Sequence, residues 1–256
     1  MNYNAYPQTI ITPDVQRGDL IRARAVMRDP NGDMFIVQPQ TLRVHKQLIA
    51  GKNSYTFDFY ETPNSDHPLD IKLNRNDAFF ASHIGVWVKR RGNSEATRND
   101  GSYPYFTFPD PNYFLGANAG ANLPEWQALY CVWNGTITLK TKPTERLIKF
   151  AASNCLYVPE RTWQGIAATS QAAVEQPQFG PDQEKRGLYH LPELVILGGN
   201  EDNTAEITLA TGDTTNIGGT LLANNTASNQ VNDVALVLHG FNVIRGAEQV
   251  YQWLGR

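Results

Sequence analysis

Two cysteines in 256 residues leave no material for a disulfide framework. Cys131 and Cys155 both fall in strongly apolar runs, and a reduced, buried thiol behaving as a small hydrophobe is the expectation for each. Charge is also sparse. Charged residues make up 18% of the chain and the formal net charge is −3, so the molecule lacks the cationic field that non-specific nucleic-acid binding requires. No apolar run approaches the roughly 20 residues needed to cross a bilayer. Met1-Asn2-Tyr3-Asn4-Ala5-Tyr6-Pro7 has neither a basic n-region nor an apolar h-region, which predicts a soluble chain made in a cytoplasm. Catalytic signatures are missing as well: there is no G-x-S-x-G elbow, H-E-x-x-H pair, Walker loop, dinucleotide G-x-G-x-x-G or EF-hand loop. These absences predict a protein that is not an enzyme and carries no cofactor.

What the chain does have is strand-forming sequence. Tyrosine, phenylalanine, threonine, valine and isoleucine fill its periodic segments, and 20 Gly and 15 Pro punctuate them. The expectation is an all-β protein, either one long domain or two sandwiches of about 100–130 residues each. The densest run, from Trp126 to Glu160, predicts a four-strand meander. Leu129, Cys131 and Trp133 alternate with Tyr130 and Val132, Asn134-Gly135 supplies a turn dipeptide, and Ile137 and Leu139 resume period two. Leu147 to Phe150 and Cys155 to Val158 complete it.

Residues 1–19 predict an extended arm ending in Arg17-Gly18-Asp19, and the strand from Leu20 sets Arg22 and Arg24 on its outward face. That basic stripe is either a solvated strand face or a contact for acidic lipid heads or packaged nucleic acid. Leu42–Ile49 and Tyr55–Phe59 predict a hairpin, with Tyr55, Phe57 and Phe59 inward. Asn76–Arg90 is apolar at both parities and so predicts a strand buried on both faces. Residues 91–125 carry an aromatic patch, Tyr103, Tyr105, Phe106, Phe108, Tyr113 and Phe114, suited to covering a neighbouring subunit or to stacking on sugars. Residues 161–187 form a second long connection, with a short helix expected over Ile166–Gln176.

Five histidines are scattered singly: His45, His67, His83, His190 and His239. Each is expected to be a satisfied core residue rather than a metal ligand. The acidic stretches Gly199–Asn203 and Asp110-Pro111-Asn112 suit calcium or simple turn chemistry. A duplication is legible. Asn76-Asp77 precedes His83 by the spacing with which Asn232-Asp233 precedes His239, each after the same order of elements. His83 and His239 are expected to owe their placement to this repeat and not to form a metal site.

The segments NDAFFASHIGVWVKR, YCVWNGTITLKT and NDVALVLHGFNVIRG, with two similar halves and two long loops, resemble the double-jelly-roll major capsid proteins of small tailless icosahedral bacteriophages. The resemblance implies two jelly-roll β-sandwiches side by side with long loops and short helices, the arm and first jelly roll in 1–120 and the second in 121–256. It implies a viral capsid structural protein in the virion, made in the host cytoplasm, and a homotrimer forming a pseudo-hexagonal capsomer. Partners would be neighbouring capsomers, other virion proteins and, at the arm, membrane lipid heads or genome without sequence specificity. Tyr103, Tyr105, Phe106, Phe108, Tyr113 and Phe114 would then supply the subunit interface, and Arg17, Arg22 and Arg24 the inner-face contacts. The competing expectation is a carbohydrate-binding or adhesin-like β-sandwich. A glycan-active enzyme with dispersed carboxylates is a third.

Overall fold

Alternation of buried and exposed residues marks the strands. In β2 (Ser54–Asp58) Tyr55 and Phe57 are buried and Thr56 is exposed, so one face meets the core and the other meets solvent. The computed structural model describes residues 35–61, 67, 69–92, 103–111, 113–114, 123–142, 146–158, 187–210, 217–218 and 230–253. Within them the remaining strands are β1 (Val37–Gln47), β3 (Ala78–Gly92), β4 (Tyr105–Phe106), β5 (Thr136–Thr141), β6 (Arg146–Ala151), β7 (Leu188–Gly198), β8 (Thr204–Thr208) and β9 (Gln230–Val243). Among the described residues helix is confined to short pieces, α1 (Glu125–Ala128), α2 (Tyr130–Trp133), α3 (Val250–Trp253) and two 3-10 turns. The chain is all-β, as its composition predicts, and among the described residues no helix is long and apolar enough to cross a membrane.

Two antiparallel sheets face each other. One runs β1-β9-β3, with β7 and β4 sharing the far edge of β3; the other runs β2-β8-β5-β6. Leu42, Val44, Phe79, Val86, Leu236 and Leu238 from the first sheet and Phe57, Ile137, Leu139, Ala205 and Ile207 from the second belong to one contiguous core. The expected division into sandwiches at 1–120 and 121–256 does not hold for the described strands. β9 pairs with β1 along its whole length, β8 with β2, and β7 with β3. Either half alone would lose the ladders β1–β9, β2–β8, β3–β7 and β3–β9. The expected hairpin of Leu42–Ile49 with Tyr55–Phe59 is also corrected, because β1 and β2 lie in different sheets.

The meander from Trp126 is half right. β5 and β6 form the expected hairpin. The first expected strand is instead α1 and α2, and the expected fourth strand, Cys155–Val158, is the end of a 3-10 turn (Ala152–Cys155) followed by irregular chain. Gly135 is needed for packing rather than for a hairpin turn: a Cβ there would lie 2.2 Å from the Thr208 carbonyl oxygen.

β3 is buried on both faces, as expected. Phe79, Ala81, Ile84, Val86 and Val88 enter the shared core, while Phe80 packs with Phe241, Val243, Val250 and Trp253 on the outside of the sheet. The change of inward parity between Ala81 and Ile84 is made by a bulge at Ser82, where the register to both β7 and β9 shifts.

Candidate functional site

The outer face of the five-stranded sheet carries the densest group of ionisable side chains that the described residues bring together. Leu42 and Val44 of β1 point into the core, so Arg43 and His45 between and beyond them point outward. Backbone hydrogen bonds between Arg43 and Ile71 hold the segment that carries His67 and Asp70 along the edge of β1. Asp233 of β9, Lys89 and Arg91 of β3 and Tyr105 of β4 lie on the same face, with Asp233 opposite Lys89 and Tyr105 opposite Lys89 in register.

His45 Nδ1 lies 2.7 Å from Asp70 Oδ1 and its Nε2 lies 2.8 Å from the Tyr105 hydroxyl. A carboxylate only accepts, so Nδ1 bears the proton and Nε2 accepts from Tyr105. His67 stacks on His45 with ring centroids 4.3 Å apart, accepts from the Leu69 amide at Nδ1 and turns Nε2 towards Asp233 Oδ2 at 3.5 Å. Arg91 closes the group from the far side, donating to both Asp233 oxygens at 2.5 and 3.2 Å. Arg43 and Lys89 sit over the Tyr105 ring at 5.0 and 5.2 Å.

Burial sets the protonation states. It lowers the His45 imidazole against the hydrogen bond that His45 donates to Asp70, and it raises the Tyr105 phenol to about 12, so neither charges near neutral pH. Burial alone would raise the Asp233 carboxyl, but the hydrogen bonds from His67 and Arg91 and their charges outweigh it and hold the group below the usual range. His45, His67 and Arg91 also line a cavity of about 540 Å³, whose other walls include Lys52, Thr56 and Asp58. Ligand atoms of His45, His67 and Asp70 come within 4.8 Å of one another. His45 spends Nδ1 on Asp70 and Nε2 on Tyr105, with His67 stacked on its ring, so the His45–Asp70 contact is a hydrogen-bonded clasp tying Asp70 to the sheet.

A second buried ion pair fixes the helical corner. Glu125, fully buried at the start of α1, pairs with Arg90 and accepts from Asn232 Nδ2 at 2.6 Å. Arg90 also donates to the Tyr113 carbonyl at 2.9 Å and lies over the Phe114 ring.

The aromatic patch is corrected by this packing. Phe106, Phe108 and Phe114 are 2%, 4% and 0% exposed, and Phe106 touches Phe108, Tyr113 and Phe114 ring to ring. Tyr103, Tyr105 and Tyr113 are half-buried. Three of the six are therefore spent inside their own chain and offer neither a subunit face nor a sugar platform. Arg17, Arg22 and Arg24 lie outside the described residues. The acidic stretches do turn chemistry: Asn203 donates to the Gly198 carbonyl at 2.7 Å, and the Asp110 carbonyl accepts from the Tyr113 and Phe114 amides. Cys131 and Cys155 are free, buried thiols, each pushed up to about 12 by burial.

His83 and His239 face each other directly across β3 and β9, and His190 of β7 stands opposite His83 on its other side. The repeat put the first two at matching places but not next to each other. The grouping of His45, His67, Asp70 and Asp233 carried no signal, since Asp233 reaches its partners only through the pairing of β9 with β1 and β3. Comparison of the chain with family models, with curated proteins and with solved structures finds no match.

Proposed function

We propose that the chain is a single jelly roll and that it serves as a shell-forming structural protein of a virus. The observation that carries this reading is the strand order, β1-β9-β3-β7 facing β2-β8-β5-β6. It is the order produced when one long antiparallel ribbon is wrapped into a sandwich, an architecture used by viral capsid and lectin domains and by cupins. The filled core favours the shell over a cupin-like enzyme. The inward side chains are apolar and closely packed, and the clustered histidines and carboxylates lie on the outside of the sheet. The buried phenylalanines weigh against the carbohydrate-binding alternative, which needs them on the surface.

In this role the chain meets copies of itself, neighbouring capsomers and other virion proteins, with Arg17, Arg22 and Arg24 facing lipid heads or genome. One sandwich per chain removes the reason for a pseudo-hexagonal trimer, which needs two per subunit. A homotrimer remains the simplest closed capsomer, built on surfaces other than the aromatic cluster. Light scattering and negative-stain electron microscopy of the purified protein test the reading. Trimers or larger closed particles are expected, and a protein that stays monomeric at every concentration overturns it.

A further inference from the structure

His239, His83 and His190 stand in one row across β9, β3 and β7, and Thr41 of β1 extends it beside His239. The bulge at Ser82 turns His83 to the outer face of the sheet. There its ring lies 4.7 Å from that of His190 and 6.0 Å from that of His239, centroid to centroid. His83 is 0% exposed, while His190 and His239 are half-buried.

The proton on His83 can be placed. Ser82 Oγ donates its one hydrogen to the His239 carbonyl at 3.2 Å, so His83 Nδ1, 2.8 Å from the same oxygen, must be the donor in that contact. The lone pair of His83 is therefore at Nε2, a fully buried atom with no hydrogen-bond partner among the described residues. Leaving such an acceptor without a partner is unfavourable, because it has given up water and gained no bond in return. His239 repeats the pattern, with Nδ1 held 3.0 Å from the Thr41 hydroxyl and Nε2 at the outer end of the ring. A hydrogen bond at the far nitrogen, here to Ser82 for His83 and to Thr41 for His239, holds an imidazole's orientation as an outer partner does for a metal-binding histidine.

We propose that His83, His190 and His239 form a binding site for a divalent transition-metal ion of the zinc class. Three neutral imidazoles select such an ion over calcium or magnesium, which take oxygen ligands. The three donor nitrogens must converge to about 2.0–2.1 Å from one ion. The ligand atoms of the three rings do not all lie within 4.8 Å of one another, so binding requires the half-buried rings of His190 and His239 to turn towards His83. The ion satisfies the buried lone pair and clips β9, β3 and β7 together on their outer face. The site rests on this row of strands alone and is independent of the shell reading.

Protein freed of metal with EDTA is titrated with ZnCl2 by calorimetry, with melting followed in parallel, and with CoCl2 by visible absorption. The expected result is one ion per chain, a raised melting temperature and cobalt bands of a nitrogen-ligated site. His190→Ala and His239→Ala, at half-buried positions, should each weaken binding by about tenfold or more, while His67→Ala in the other histidine cluster leaves it unchanged. Absence of stoichiometric binding to the folded protein overturns the proposal. So does binding that is lost in His67→Ala and retained in His190→Ala and His239→Ala.

Discussion

His45 couples the stability of the fold to pH. Burial lowers its pKa, and Asp70, His67, Arg43 and Tyr105 all face the ring. As pH falls below the ordinary histidine value of 6.5, the unfolded chain takes up this proton before the folded one. Stability is therefore complete above 6.5 and declines as pH drops towards the lowered folded value. Urea unfolding between about pH 7 and pH 5 should show the midpoint falling with acid. His45→Gln should reduce that slope without removing it, because burial lowers His83 as well, to about 3, while losing about 1–3 kcal/mol at pH 7 from the broken contacts with Asp70 and Tyr105. An unchanged slope would place the acid sensitivity elsewhere. Phe108 makes a second residue-scale case. At 4% exposure against Phe106 its ring is core, so Phe108→Ser should cost about 3–5 kcal/mol in a thermal melt. The assembly mass should not change.

Among the elements, β3 organises the molecule because three strands pair with it and both of its faces are covered. The bulge at Ser82 is possible only because β9 presents Gly240 opposite Ala81. A Cβ on Gly240 would lie 1.9 Å from the Phe80 carbonyl oxygen, backbone that cannot swing away. Gly240→Ala should thus cost about 3 kcal/mol or more, read from denaturant midpoints, although alanine favours a strand over glycine. The helical corner shows how period misleads. Glu125, Ala128, Leu129, Val132 and Trp133 are all buried at helical spacing. The same stretch also satisfies period two, since its aromatic and β-branched residues are apolar at both parities. Pro124 before it and the buried partners of Glu125 decide for helix.

For the whole molecule, the repeated order of elements has a different meaning from the one its sequence suggests. The triplets β1-β2-β3 and β7-β8-β9 pair strand for strand, β1 with β9, β2 with β8 and β3 with β7, and the β5-β6 hairpin joins them. They are the two legs of one ribbon rather than two domains. Fragments 1–120 and 121–256 expressed apart should therefore give no cooperative melt, and mixing them should restore the β-sheet circular dichroism and a single transition. Two fragments that melt cooperatively on their own would restore the two-domain reading.

The sequence by itself determined the class of the fold, the inward residues of β2, the double burial of β3, the β5-β6 hairpin and the reduced state of both cysteines. All of these depend on local periodicity, turn residues or composition, which neighbouring residues carry among themselves. Only the tertiary structure decided that the two halves pair, that Phe106, Phe108 and Phe114 of the aromatic patch are core, and that His45 meets Asp70 and His83 stands between His190 and His239. Those facts follow from strand register between segments far apart in the chain. A strand's alternation says which of its side chains turn inward, and nothing about which distant strand will lie beside it.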